Sequence, residues 1–316
     1  MNQPILYPLK LAPSLHVKVW GGRKLATEMN KTLPTDEPYG EAWELHDSAT
    51  ISNGALEGQT LADALAAYGT DLIGQHNDPA EGFPLLAKII DAEDWLSIQV
   101  HPDNAQAREL EGDPRGKTEA WLILAANDNS KLCIGVQPGT TRDEMAEAIR
   151  ENTLEDKLAY AEVQPGDVFF VKANTIHAIG PGILLYEIQQ SSDVTYRLYD
   201  WGRMGLDGKP RQLHIEKGVQ VSNVESLPEV THPTGHNVVM VSCPYFETMR
   251  HMLIDSSVQL ATDGFFHALT CIDGTLTITH GETTITLEKG ETAVIPANLG
   301  AYMLVGTGTV LRSYQV

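Results

Sequence analysis

HALTCIDGTLTITHGETTITLEKGETAVIPA, residues 267–297, is the stretch that decides the fold class. It consists of short β-branched runs, and Asp273-Gly274, His280-Gly281 and Lys289-Gly290 separate them. Runs of that length with Gly-containing turns predict consecutive antiparallel hairpins, and strands so short and evenly spaced suggest a sandwich or barrel. The same punctuation continues upstream: Pro165-Gly166-Asp167, then VFFVK, then Gly180-Pro181-Gly182, then ILLYEI. Between these regions, VESLPEVTHPTG (224–235) is rich in Pro and Thr and poor in apolar residues. It reads as a linker between a larger unit, 1–223, and a smaller barrel, 236–316. Helix signals are few. Thr60-Leu-Ala-Asp63 opens a helix ending near Gly69, Thr141-Arg-Asp-Glu144 is a capping box ahead of MAEAIREN, and Leu154 to Ala161 reads as a third. The expectation is a mainly β chain with a few short helices.

Composition narrows the function. The chain has 316 residues, 42% hydrophobic and 20% charged, which supports a large core and argues against disorder. Its formal net charge is −20 and it has no Lys/Arg run, so nucleic acid and anionic membrane are poor partners. Apolar runs such as LLAKII (85–90) are too short to span a bilayer, and MNQPILYPLKLAPS lacks the pattern of a leader peptide, so the expected location is cytoplasmic. Three scattered cysteines (133, 243 and 271) make neither a disulfide framework nor a thiolate cluster, so a metal site must use nitrogen and oxygen ligands. Oligomeric state is not legible in the sequence.

Such ligands are present. In a strand, residues i and i+2 share a face, so Gln99 and His101 project together, as do Lys117 and Glu119. Gly166, five residues, Lys172-Ala173-Asn174, then Thr175-Ile176-His177 is a turn that aims His177 back across a strand. Each residue alone is unremarkable: a packed histidine, or a solvated strand face. Jointly, two imidazoles, a carboxylate and an amide suit a borderline divalent ion, with zinc favoured and manganese or iron compatible. Downstream, Glu187 to Arg203 sets Asp193, Arg197 and Asp200 among Tyr196, Tyr199 and Trp201. Aromatic planes beside charged groups suit a sugar and its phosphate, and Arg197 has the planar fork that clamps an anion. A phosphorylated substrate would require a local positive patch on an acidic protein.

QVHPDN (99–104), GKTEAW (116–121), HAIGPGILLYEIQQSSDVTYRLYDWGR (177–203), LHIEKG (213–218), VWGG (19–22) and GEAWELHD (40–47) closely resemble the type I mannose-6-phosphate isomerases, in their short bacterial form. The resemblance runs nearly from end to end. It implies a double cupin fold of two jelly-roll-like barrels. It also implies one zinc per chain on Gln99, His101, Glu119 and His177, and interconversion of mannose 6-phosphate and fructose 6-phosphate. Arg197, Lys117 and Asp193 are then the expected catalytic residues, and Lys117, Arg197, Glu187 and Trp20 the expected substrate contacts. The implied partner is a small sugar phosphate. Two alternatives stand beside this: an isomerase of an unphosphorylated sugar, and a non-catalytic metal-binding cupin that senses a sugar. The chain departs from the family pattern where Lys172-Ala173-Asn174 replaces Pro-Ala-Gly. Asn tolerates the left-handed conformation that Gly supplies, and Lys172 is expected on the outer face. Gly290 to Ala301 repeats the motif with Ala301 in the place of His177, so the second barrel is expected to hold no metal.

Overall fold

The computed structural model describes residues 5–316. Strand accounts for 44% and helix for 16% of the described structure, so the protein is mainly β with a few short helices. None of the described helices is long and apolar enough to cross a membrane.

The larger unit is built on a seven-stranded sheet. Its order is Glu229–Thr231, Val168–Val171, Glu119–Ala126, Ile183–Gln190, Leu85–Ala92, Tyr39–Leu45 and Ser14–Gly22. Two smaller ribbons face it: Ala178–Ile179 with Lys131–Val136 and Leu158–Glu162, and Tyr196–Tyr199 with Ile98–Val100. The bridge between Gln99 and His177 joins the two ribbons. The second sheet holds the C-terminal strands, among them Glu247–Ala261, Ala301–Tyr314 and His267–His280. Leu9–Ala12 and Thr50–Ile51 extend that sheet, and Glu229–Thr231 pairs with Val168–Phe170 in the other, so the chain crosses between the two units more than once.

Alternation explains why ILLYEIQQ (183–190) is buried throughout. Leu184, Tyr186 and Ile188 face the second sheet, where they share a core with Ala268, Val294 and Leu311. Ile183 and Leu185 face the barrel interior with Trp121 and Phe169. Burial on both faces replaces the half-polar pattern of an exposed strand.

Several expectations hold and several need correction. Leu61–Tyr68 is helical behind a Thr60/Asp63 capping box, and Arg142–Arg150 behind a Thr141/Glu144 box. The expected helix over 154–161 is instead a 3₁₀ turn, Leu154–Lys157, followed by the strand Leu158–Glu162. Thr153 supplies no cap to a longer helix, and pairing with Lys131–Val136 takes the backbone bonds. Asp273-Gly274 is not a hairpin turn either: His267–His280 is one strand with a register shift between Cys271 and Asp273. Gly274 has φ +70°, and a Cβ there would lie 2.3 Å from the Thr307 carbonyl oxygen, so the glycine serves close strand approach at a bulge. The bend lets the first half of the strand pair with Thr292–Ile295 and the second half with Thr283–Glu288.

Candidate functional site

Three strand ends and one tight backbone contact assemble the site. Gln99 lies in Ile98–Val100, with His101 just beyond it. Glu119 begins Glu119–Ala126. Gly116 packs so closely on the Pro102–Asp103 backbone that a Cβ would lie 2.4 Å from the Asp103 carbonyl carbon. Lys117 N–H donates to the Pro102 carbonyl at 3.0 Å. These contacts bring GKTE onto QVHPD and seat Glu119 beside His101. Asn174, at φ +71°, turns the chain before His177, and its N–H donates to the His101 carbonyl at 2.7 Å. Asn174 thus takes the left-handed conformation expected of it. Lys172 points outward and pairs with Glu229.

His101, Glu119 and His177 come together, fully buried. The two Nε2 atoms are 3.1 Å apart, His177 Nε2 is 3.2 Å from Glu119 Oε1, and His101 Nε2 is 3.7 Å from Oε2. The Nδ1 side of each ring meets a carbonyl: His101 with Val194 at 3.0 Å and His177 with Thr175 at 2.8 Å. Each Nδ1 therefore carries the proton and each Nε2 presents a lone pair inward. Two lone pairs at 3.1 Å repel unless a cation lies against both. Burial drives the same choice, holding His101 well below its usual pKa and His177 down at about 4, with Lys117 adding to both. Glu119 is the third part. Neither of its oxygens accepts a well-directed hydrogen bond, and burial raises its pKa although Lys117 Nζ, 3.0 Å from Oε2, opposes the rise. Inward lone pairs, an orphaned carboxylate and outer hydrogen bonds that fix the rings fit a metal ion. The Gln99 amide nitrogen is 3.3 Å from His177 Nε2. Exchanging the amide nitrogen and oxygen would turn an acceptor towards the cluster.

A cavity of about 280 Å³ adjoins the cluster, and Gln99 and Lys117 line it. Five cationic side chains (Lys18, Lys88, Lys117, Arg197 and Arg211) and three carboxylates (Glu41, Glu187 and Asp193) share its wall with Trp20. This is the positive patch that an anionic substrate needs on a chain of net charge −20. Across the big sheet Trp43, Lys88, Glu187 and Trp121 pair in one row. Lys88 Nζ donates to Glu187 Oε1 at 3.0 Å and to Gln189 Oε1 at 2.9 Å, while Trp121 Nε1 donates to Glu187 Oε2 at 2.8 Å. Burial alone would raise Glu187, but Lys88 and Lys117 outweigh it and hold the carboxylate ionised. Lys18 Nζ is 3.1 Å from Glu41 Oε2, and with Lys88 it overcomes burial to hold Glu41 below its usual value. Asp193 is exposed at the cavity edge. Arg197 Nη1 donates to the Gln212 carbonyl at 2.9 Å, while its buried Nε has no partner.

All nine sequence candidates therefore lie in the cluster or on the cavity wall. Sequence reasoning missed Lys18, Glu41, Lys88 and Arg211. Lys88 had a signal: it is the lone charge inside LLAKII. Glu41 lies in a quoted motif without an assigned role.

Residues 8–138 match the family model described as phosphomannose isomerase type I, catalytic domain, and 237–315 match the mannose-6-phosphate isomerase cupin domain. The mannose-6-phosphate isomerase of Streptococcus mutans is 35% identical over 317 residues, covering 98% of each chain. The chain belongs to the type I phosphomannose isomerases. A Bacillus subtilis relative in this family, ManA, is 34% identical over 97% of this chain and 98% of its own. The crystal structure of a Bacillus subtilis mannose 6-phosphate isomerase superposes with a TM-score of 0.87 at 30% identity, covering 97% and 99% of the two chains. The architecture is the double cupin fold, and a type I phosphomannose isomerase is an enzyme.

Proposed function

We propose that this chain interconverts mannose 6-phosphate and fructose 6-phosphate, with one zinc ion held by Gln99, His101, Glu119 and His177. The observation that carries the proposal is the junction of two features: a buried His/Glu/His cluster with inward lone pairs, and a cavity where cations outnumber carboxylates. A sensor has no use for an acid–base set, and an unphosphorylated sugar none for five cations.

Zinc bound there would supply Lewis acidity to substrate oxygens and a template for their orientation. The remaining chemistry belongs to the side chains. Moving a proton between C2 and C1 needs a positioned base and a stabiliser for the enediolate charge. Glu187 and Glu41 are poor bases, because their cationic partners keep them ionised and engaged. They position Lys88 and Lys18. Asp193 has no hydrogen-bond or ion-pair partner among the described residues, so it is the carboxylate free to take the proton. Lys117 and Arg197 face the cavity as cations that offset the enediolate charge, and Trp20 closes one wall. In this proposal 1–223 is the catalytic cupin unit except for Leu9–Ala12 and Thr50–Ile51, which pair in the second sheet, 224–235 is a linker that adds Glu229–Thr231 to the first sheet, and 236–316 is a metal-free barrel. A sugar phosphate substrate and three unpaired thiols suit a cytoplasmic enzyme.

The test is a coupled assay for fructose 6-phosphate formed from mannose 6-phosphate, before and after chelation. Turnover that falls on chelation and returns with zinc supports the proposal. Mannose turned over as well as mannose 6-phosphate, or no turnover by the zinc-loaded chain, refutes it.

A further inference from the structure

One carboxylate grips both ends of the loop 200–211. Buried Asp200 accepts from Arg203 Nε at 3.2 Å and Nη2 at 3.0 Å on Oδ1. Its Oδ2 accepts from Arg211 Nε at 2.7 Å, and its Oδ1 accepts from Arg211 Nη2. The loop starts in a costly conformation, with Trp201 at φ +57°. The Trp201 indole, donating to the Leu96 carbonyl at 2.8 Å and packed on Trp95 and Tyr199, holds that conformation in place. Strain that neighbours over-determine is a mark of a positioned element. The segment after the loop docks on Arg197. His214 N–H donates to the Arg197 carbonyl at 2.8 Å, Arg197 N–H donates to His214 Nδ1 at 3.2 Å, and Arg197 Nη1 reaches Gln212.

Arg211 thereby comes to line the cavity. Asp200 takes its Nε and Nη2, and its Nη1 makes no hydrogen bond among the described residues. The neighbours of Arg211 follow from the backbone. Gln99, beside the His/Glu/His cluster, pairs in register with Arg197. Arg197 in turn reaches Gln212, the neighbour of Arg211. Arg211 thus lies close to Arg197, on the same cavity wall as Gln99.

Resting on the isomerase reading above, we infer that Arg211 is a specificity residue whose free Nη1 edge receives the substrate's anionic group remote from the reacting carbons, and that Asp200 is the positioning residue that aims it. A fork held on one edge by a carboxylate and open on the other is preorganised to bind an anion. The LHIEKG motif gains a role here, since His214 locks the segment to Arg197.

The experiment compares zinc-loaded wild type, Arg211→Gln and Asp200→Asn. Arg211→Gln is expected to raise KM for mannose 6-phosphate about tenfold or more, with kcat within about twofold and zinc content unchanged. Asp200→Asn is expected to shift KM in the same direction by less. Calorimetry with an unreactive pair, a hexitol and its terminal phosphate, separates the two levels of the argument. A wild type that prefers the phosphate, with that preference lost in Arg211→Gln, supports the inference. A wild type with no preference overturns the sugar-phosphate reading itself. A preference retained in Arg211→Gln, or kcat and zinc content falling together with KM, overturns the role of Arg211 alone.

Discussion

In the N-terminal barrel the inward row across the sheet reads Phe169, Trp121, Glu187, Lys88 and Trp43. In the C-terminal barrel the inward cluster is Leu269, Leu276, Ile278, Leu287, Ile295 and Leu304. The strand architecture is similar and the contents are opposite. One interior carries buried charges that are costly unless paired, and the other gains about 25 cal/mol per Å² of apolar surface removed from water. Ala301 is not the whole reason for the contrast. It is exposed, while Tyr302 beside it points inward. The turns differ too: the left-handed residue is Asn174, three before His177, but Gly300, directly before Ala301. Equal spacing in sequence therefore places His177 inside one barrel and Ala301 outside the other. Among the described residues the cluster that fills the second interior is apolar, so its contrast with the first lies in the whole filling rather than in one residue.

Substitution at the cluster has the largest expected effect. His177→Ala or His101→Ala is expected to abolish metal retention and turnover together, while Ala301→His gains no second metal; metal content per chain, measured with activity, checks both. Full activity in metal-free His101→Ala would remove the site from the mechanism. Next in size is Leu269→Ala, expected to destabilise the fold by about 2–5 kcal/mol and to leave zinc binding intact. Denaturant unfolding with parallel metal analysis reads both. Arg197→Lys keeps the charge but loses the planar fork, and is expected to lower kcat/KM roughly 10²-fold with zinc still near stoichiometric.

The smallest effect concerns acid. Burial, reinforced by Arg312 and His251, holds His267 down at about 3 against its ordinary 6.5. The unfolded chain therefore takes up the proton first. The stability this histidine contributes is full above about 6.5 and falls as pH drops toward about 3. His267→Gln is expected to flatten the loss of stability between pH 7 and pH 5 without changing zinc content. An unchanged slope in denaturant midpoints would show that other groups carry it.

Strand periodicity and the Thr60 and Thr141 caps were legible because they are local. Asp273-Gly274 was misread because a bulge and a turn use the same dipeptide, and only the partner strand distinguishes them: Gly308 lies opposite Gly274. The helix Asn104–Glu111 escaped notice although Asp103 and Gln106 form a capping box, because HPDN reads first as part of a ligand motif. The ligand residues stood out through i, i+2 spacing. Lys18 and Arg211 did not, since their places on the cavity wall depend on the partners Glu41 and Asp200, the second eleven residues from Arg211 in sequence.

The most direct test restores zinc stepwise to the chelated protein while fructose 6-phosphate formation from mannose 6-phosphate is followed. Turnover is expected to start near zero, rise linearly and saturate at one zinc per chain. Full turnover before zinc is added, or saturation only at two zinc ions per chain, would contradict a single catalytic zinc.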